Sequence, residues 1–260
     1  MADFRKEKYQ YYFENGLDVP IKLSKTNKQI YVKPVLVKDS LKYNEVSTIL
    51  KYDKNKINDI DVIRMSYLEY LAILVLNSEQ IANKFMELMK LCLGLENIAF
   101  NEDKGAICIA VVDDNDNVES VIHSNEFDEI KNVILYQNDS DYANLTLSED
   151  LLEQYETYIN IVSKDTHTPT NEEKKAYIMM KNGYTLEQVN NLPLRFFELM
   201  YKTGIDNDEY IAQKIIQGSF KYAIKENIVH PQYAKRESPI KKLFADRSDF
   251  EQKLAKGGII

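Results

Sequence analysis

The sequence predicts an α+β fold that is predominantly α-helical, and three observations predict it. Apolar residues recur every three to four positions through most of the chain, as in Ile81, Phe85, Met89 and Cys92 of "EQIANKFMELMKLCL". Two stretches alternate at period two instead, "QIYVKPVLV" and "AICIAVV", each with a strand-like neighbour across a polar turn. Ser, Thr and Asp precede the helical runs and Gly follows several of them, which is where caps and stops belong. With 260 residues, 44% of them hydrophobic, the chain has ample material for a packed core.

In chain order, "PIKLS" and "QIYVKPVLV" flank the polar "KTNK" and predict a β-hairpin near 20–37, with Pro34 at a strand end or on an edge. Helices should follow. Asp39 or Ser40 caps "LKYNEVSTIL", Ser66 caps "YLEYLAILVL", and Ser78 caps the amphipathic run that Gly94 ends. A second hairpin is predicted near 106–122, where "AICIAVV" and "VESVIHS" surround "DDNDN". From about 124 the pattern turns helical: Asn125 caps "EFDEIKNVILYQ" with Asp128 in capping-box position. Ser148 begins another helix, Thr170 and Glu173 box the next, and Gly183 stops it. Thr185 and Gln188 form a further box, Pro193 opens "LRFFELMYKT", and Gly204 is expected to end that helix before a separate one closes at Gly218.

These elements suggest three parts. Residues 1–123 form a mixed part with the hairpins, 124–233 a helical, bundle-like part that ends in an extended "SFKYAI", and 234–260 a charge-rich peripheral tail with one short helix from Ser248.

Charge and composition exclude several function classes. The 33 Lys and Arg against 41 Asp and Glu leave a net charge of −8, so no overall basic field attracts nucleic acid or an anionic membrane, and a basic partner fits better. "LAILVL" is far shorter than the ~20 apolar residues that span a bilayer, and the opening "MADFRKEKYQYYF" lacks the apolar core of a signal peptide, so a cytoplasmic protein is expected. Cys92 and Cys108 sit in apolar contexts without a ligand at metal spacing, and read as buried reduced thiols.

The acidic cluster of "ILYQNDSDY" raises the question of calcium. Counted from Asp139, the loop pattern has Asp141 in third place but Ala143 in fifth, Asn144 where glycine must make the turn, and Asp150 in place of the closing Glu. Counted from Asp113 it fails likewise, with Val118 for the glycine and Ser124 for the bidentate acid. Both clusters therefore read as punctuation between elements. His123, His167 and His230 are isolated in sequence, and the dispersed glycines form no phosphate loop. No catalytic, cofactor-binding or metal-binding residue is assigned, and a non-enzyme is expected. The aromatics of "KYQYYF" and "LRFFELMY" favour a protein partner over nucleic acid.

The ordered run of "VPIKLS", "IYVKPVLVKDSLKY", "IRMSYLEYLAIL", "FDEIKNVILYQNDSDY", "LSEDLLEQYETY", "YIMMKNGYTLEQVNNLPLRFFELM" and "IIQGSFKY" resembles a group of tail-region proteins of tailed phages and prophages of low-GC Gram-positive bacteria. The likeness spans most of 18–230. Members of the group look like tail assembly chaperones, non-catalytic helical proteins of the host cytoplasm that cover the tape-measure protein and bring tail-tube subunits to it. The resemblance therefore implies tape-measure and tail-tube proteins as partners. The alternatives are a structural virion component, such as a connector or baseplate subunit, and a host-directed inhibitor.

A helper of that kind needs adaptable apolar surface. In "PLRFFELMYK", Leu194, Phe197, Met200 and Tyr201 share one helical face, which leaves Phe196 about 100° off the stripe and in need of cover. Phe196, with the flexible Met180 and Met86, is the expected partner-binding set.

Overall fold

The computed structural model describes residues 6–25, 28–52, 54, 57, 59–103, 105–113, 115, 117–139 and 169–218. Two compact units divide the chain, the first comprising Met1–Thr146 and Asn171–Tyr201 and the second Leu147–Thr170 and Lys202–Ile260. The expected helix from Ser148, Asp141, His167, His230, the extended "SFKYAI" and the tail with its helix from Ser248 lie outside the described residues.

The first unit is α+β and mostly helical, with a two-stranded and a three-stranded antiparallel sheet. A short helix that periodicity did not predict, α1 (Gln10–Asn15), precedes the hairpin of β1 (Val19–Lys22) and β2 (Gln29–Val32). Val19 faces Val32 and Ile21 faces Ile30, so period-two alternation puts all four on the buried side. Pro20 is tolerated because a two-stranded ladder leaves its nitrogen on an edge.

Three helices follow before the long one: α2 (Ser40–Val46), α3 (Ile60–Arg64) and α4 (Tyr67–Asn77). Asp39 precedes α2 without a side-chain cap bond. Lys54, almost fully buried, donates from Nζ to the carbonyls of Ile63 and Met65 and so satisfies carbonyls at the end of α3. Ser66 opens α4 through a reciprocal capping box: the Glu69 amide donates to Ser66 Oγ at 3.1 Å and the Ser66 amide to Glu69 Oε2 at 2.6 Å. Ser78 caps α5 (Glu79–Leu93), whose Phe85, Leu88, Met89 and Cys92 form the buried stripe, and Gly94 ends it with φ +69°.

The second sheet is a meander of β3 (Ile98–Asp103), β4 (Ala106–Val112) and β5 (Val118–Ile122). The hairpin of β4 and β5 is the expected one, and β3 is an addition. "IAFNED" offers only three apolar residues, and its strand character comes from pairing with β4. In the turn, the Asn115 and Asn117 amides both donate to Asp113 Oδ1 at 2.8 Å, so that carboxylate builds its own loop.

Helix α6 (Ser124–Asn138) departs from expectation at its start and in its placement. The cap is His123 and the box acid Glu126, not Asn125 and Asp128. The shift has a tertiary cause: Ser24, in the hairpin turn, donates to Glu126 through its amide and hydroxyl and draws that carboxylate inward. Nor does 123/124 mark a break, since Phe127, Ile130 and Ile134 belong to the same core as Val19, Ile21 and Phe85.

Helix α7 (Asn171–Asn182) ends where expected, at Gly183 with φ +68°, and Thr185 opens α8 (Leu186–Asn190) through its box with Gln188. An antiparallel bridge between Leu36 and Pro193 then ties the next segment to the exit of the first hairpin, with the Val37 amide on Leu192 O and the Leu194 amide on Val35 O. Helix α9 runs unbroken from Leu194 to Gly218, 25 residues, and corrects the expected stop at Gly204. Tyr201, Ile205, Ala212 and Ile216 keep the helical period across the glycine, so the ladder continues despite the local cost of ~1 kcal/mol. In the first unit its Leu194 and Phe197 are buried, with Met200 and Tyr201 packed against the core.

Candidate functional site

Three helices of the first unit surround a cleft of about 380 Å³. Phe13 and the exposed Gln10 and Glu14 come from α1, Tyr136 from the last turn of α6, and Arg195, Phe196 and Leu199 from the start of α9. Gly16 makes the close approach possible. It ends α1 with φ +62°, and a Cβ there would lie 2.9 Å from Phe196 Cε2 and 3.0 Å from Pro193 Cγ.

The end of α6 is the other anchor. Gln137, which follows the helical period, and Asn138, which reads as a helix exit, are almost completely buried: Gln137 Nε2 donates to Leu17 O at 3.0 Å, and Asn138 Oδ1 accepts from the Val35 amide at 2.7 Å. Arg195 completes this end. Its Nη1 donates to Tyr136 O at 2.7 Å and Asp139 O at 3.2 Å, and its guanidinium carbon stands 4.5 Å from the centroid of the Tyr136 ring. Both bonds use one nitrogen, and among the described residues no carboxylate pairs with Arg195.

On the apolar side, Phe13 and Tyr136 meet with ring centroids 4.8 Å apart, and the half-buried ring of Phe196 closes over Gly16. Glu14 accepts from Gln10 Nε2 at 2.5 Å within α1 and has no cation partner among the described residues. The chain matches no family model, no curated protein and no solved structure.

Of the expected partner-binding residues, only Phe196 lines this cleft. Met180 lies on α7 with 75% of its surface exposed, and Met86 is half-buried on α5. Phe13 belongs to "KYQYYF", whose aromatics favour a protein partner, whereas no sequence pattern marks Tyr136, Arg195 or Leu199 as site residues. The aromatic density of "KYQYYF" was the available signal, and it carried no information on which helix would pack beside it.

A second polar cluster joins the first hairpin, the meander and the start of α6. Glu126 accepts from Ser24 Oγ at 2.5 Å, the Ser24 amide at 2.7 Å and the His123 amide at 2.6 Å. Burial acts to raise its pKa, and the hydrogen bonds from Ser24 and His123 outweigh that and hold the carboxyl below its usual range. Among the described residues, His123 Nε2 is enclosed without a hydrogen-bond partner, 3.6 Å from Asp103 Oδ2, which also pairs with Lys25. Cys92 is fully buried, and desolvation pushes its thiol up to about 12, which suppresses the nucleophilic thiolate. Among the described residues, no group of three or more His, Cys, Asp or Glu is placed to hold a metal ion, and no helix is long and apolar enough to cross a membrane.

Proposed function

We propose that the chain is a non-catalytic binding protein of phage tail morphogenesis, an assembly chaperone of the host cytoplasm that covers the tape-measure protein and brings tail-tube subunits to it. The sequence resemblance supplies the biological context. The observation that supports a binding role is the cleft at Phe196, where aromatic rings from α1, α6 and α9 leave room for an apolar side chain on an otherwise acidic molecule. The exposed thioether of Met180 offers further adaptable surface.

Co-expression with the tape-measure and tail-tube proteins of the same phage tests the reading. The tagged chain should retain both partners, and Phe196→Ser should weaken retention while circular dichroism stays native. Phe197→Ser should instead unfold the first unit, because a ring only 1% exposed would be exchanged for a hydroxyl at a cost of about 3–5 kcal/mol. A chaperone should also be depleted from purified virions by mass spectrometry. Stoichiometric presence there would replace this reading with that of a connector or baseplate subunit.

A further inference from the structure

Glu14 and Arg195 line the same cleft as opposite charges, yet no ion pair joins them, and among the described residues neither has a partner of opposite sign. Arg195 is held in place by carbonyls through Nη1 alone and by the Tyr136 ring, so its remaining nitrogens are donors without acceptors among the described residues. Phe13, Phe196 and Leu199 line the cleft together with the two charges. A single apolar group would satisfy the rings and neither charge.

We infer that the cleft takes one amphipathic helix of a protein partner, presenting a large apolar side chain flanked by an acidic residue directed to Arg195 and a basic residue directed to Glu14. On a helix, residues three and four apart share a face, so an acid, a ring and a base at such spacings project together. Arg195 suits the acid because a guanidinium with unused nitrogens accepts a carboxylate in fork geometry. Glu14 suits the base because it is exposed and committed only to Gln10. Charge order thereby sets which way the guest helix runs, with the ring supplying most of the contact. The inference rests on the binding role proposed above and adds the chemistry and orientation of the guest.

The test uses the full chain and two capped helical peptides, each with a single Phe flanked at three to four residues by Glu on one side and Lys on the other, in the two opposite orders. Titration is followed by amide NMR shifts. One order should bind and shift the amides of Phe13, Arg195 and Phe196, and replacing its Phe by Ser should abolish the shifts. Glu14→Lys should weaken that peptide about two- to five-fold, as expected of an exposed ion pair, and changing the peptide's Lys to Glu should recover the loss. Equal binding of both orders, of the Ser peptide, or of the Glu14→Lys variant would overturn the inference, as would shifts confined to residues away from the cleft. If the tape-measure protein co-purifies while both peptides fail, only the cleft assignment falls. Should a peptide bind as described while co-purification fails, the cleft stands and the tail-assembly reading falls.

Discussion

Arg195 grips the last turn of α6 at Tyr136 in two ways, donating to its carbonyl at 2.7 Å and stacking its guanidinium 4.5 Å from its ring centroid. The helix end has orphan carbonyls, and the cation neutralises the negative end of the dipole while the ring covers its face. Arg195→Ala should therefore destabilise the protein by about 2–3 kcal/mol in urea denaturation. Arg195→Lys should recover only part, since an ammonium reaches a carbonyl but lacks the planar stack. A loss below about 0.5 kcal/mol for the Ala variant would show that the grip contributes little.

Neighbouring residues at the same helix end should respond very differently. Asn138 is 3% exposed, and Asn138→Ala strands the Val35 amide while removing the bond from its Nδ2 to Ile134 O at 2.8 Å. A loss of about 2–4 kcal/mol is expected. Asp139 keeps its side chain half-exposed, 3.7 Å from Lys51, so Asp139→Asn should change stability by no more than about 0.5 kcal/mol. Thermal melts of the two variants side by side decide the ordering.

Two glycines form a matched pair. Gly183 has φ +68°, and a Cβ added there would meet nothing within 4 Å, so Gly183→Ala isolates the backbone strain and should cost about 1 kcal/mol. Gly204 lies inside α9, where alanine is the better helix former, and Gly204→Ala should raise stability by about 0.5–1 kcal/mol. Opposite signs in chemical denaturation are the expected result, and a destabilising Gly204→Ala would contradict the continuous helix.

Glu126 predicts an acid-sensitive clasp. Its folded pKa is depressed, so its contribution is fully present above the unfolded value near 4.5 and is lost as pH falls through the lower, folded value. Glu126→Gln should thus be destabilised at pH 7, and its deficit against the parent chain should shrink below about pH 4.5. Urea titrations at about pH 7 and about pH 3.5 measure both gaps, and a deficit that does not change with pH would exclude the ionised carboxylate as the cause.

By itself the sequence determined the elements whose signals are local. Ser66 with Glu69 and Thr185 with Gln188 close boxes within four residues, Gly94 and Gly183 end helices through their own backbone freedom, and the alternation of Val19, Ile21, Ile30 and Val32 sets which face of the first hairpin is buried. Tertiary structure decided what depends on partners distant in sequence. Strand β3 exists because β4 pairs with it, α6 is capped at His123 because Ser24 claims Glu126, and Gln137 and Asn138 are buried because Leu17 and Val35 need their hydrogen bonds. For the cleft, periodicity showed that Phe196 stands off the buried stripe of α9 and needs cover. That the cover is α1, brought within reach by a glycine, with Arg195 clamped to Tyr136 beside it, follows from packing between segments more than a hundred residues apart in the case of Gly16 and Phe196, a separation at which no local pattern carries a signal.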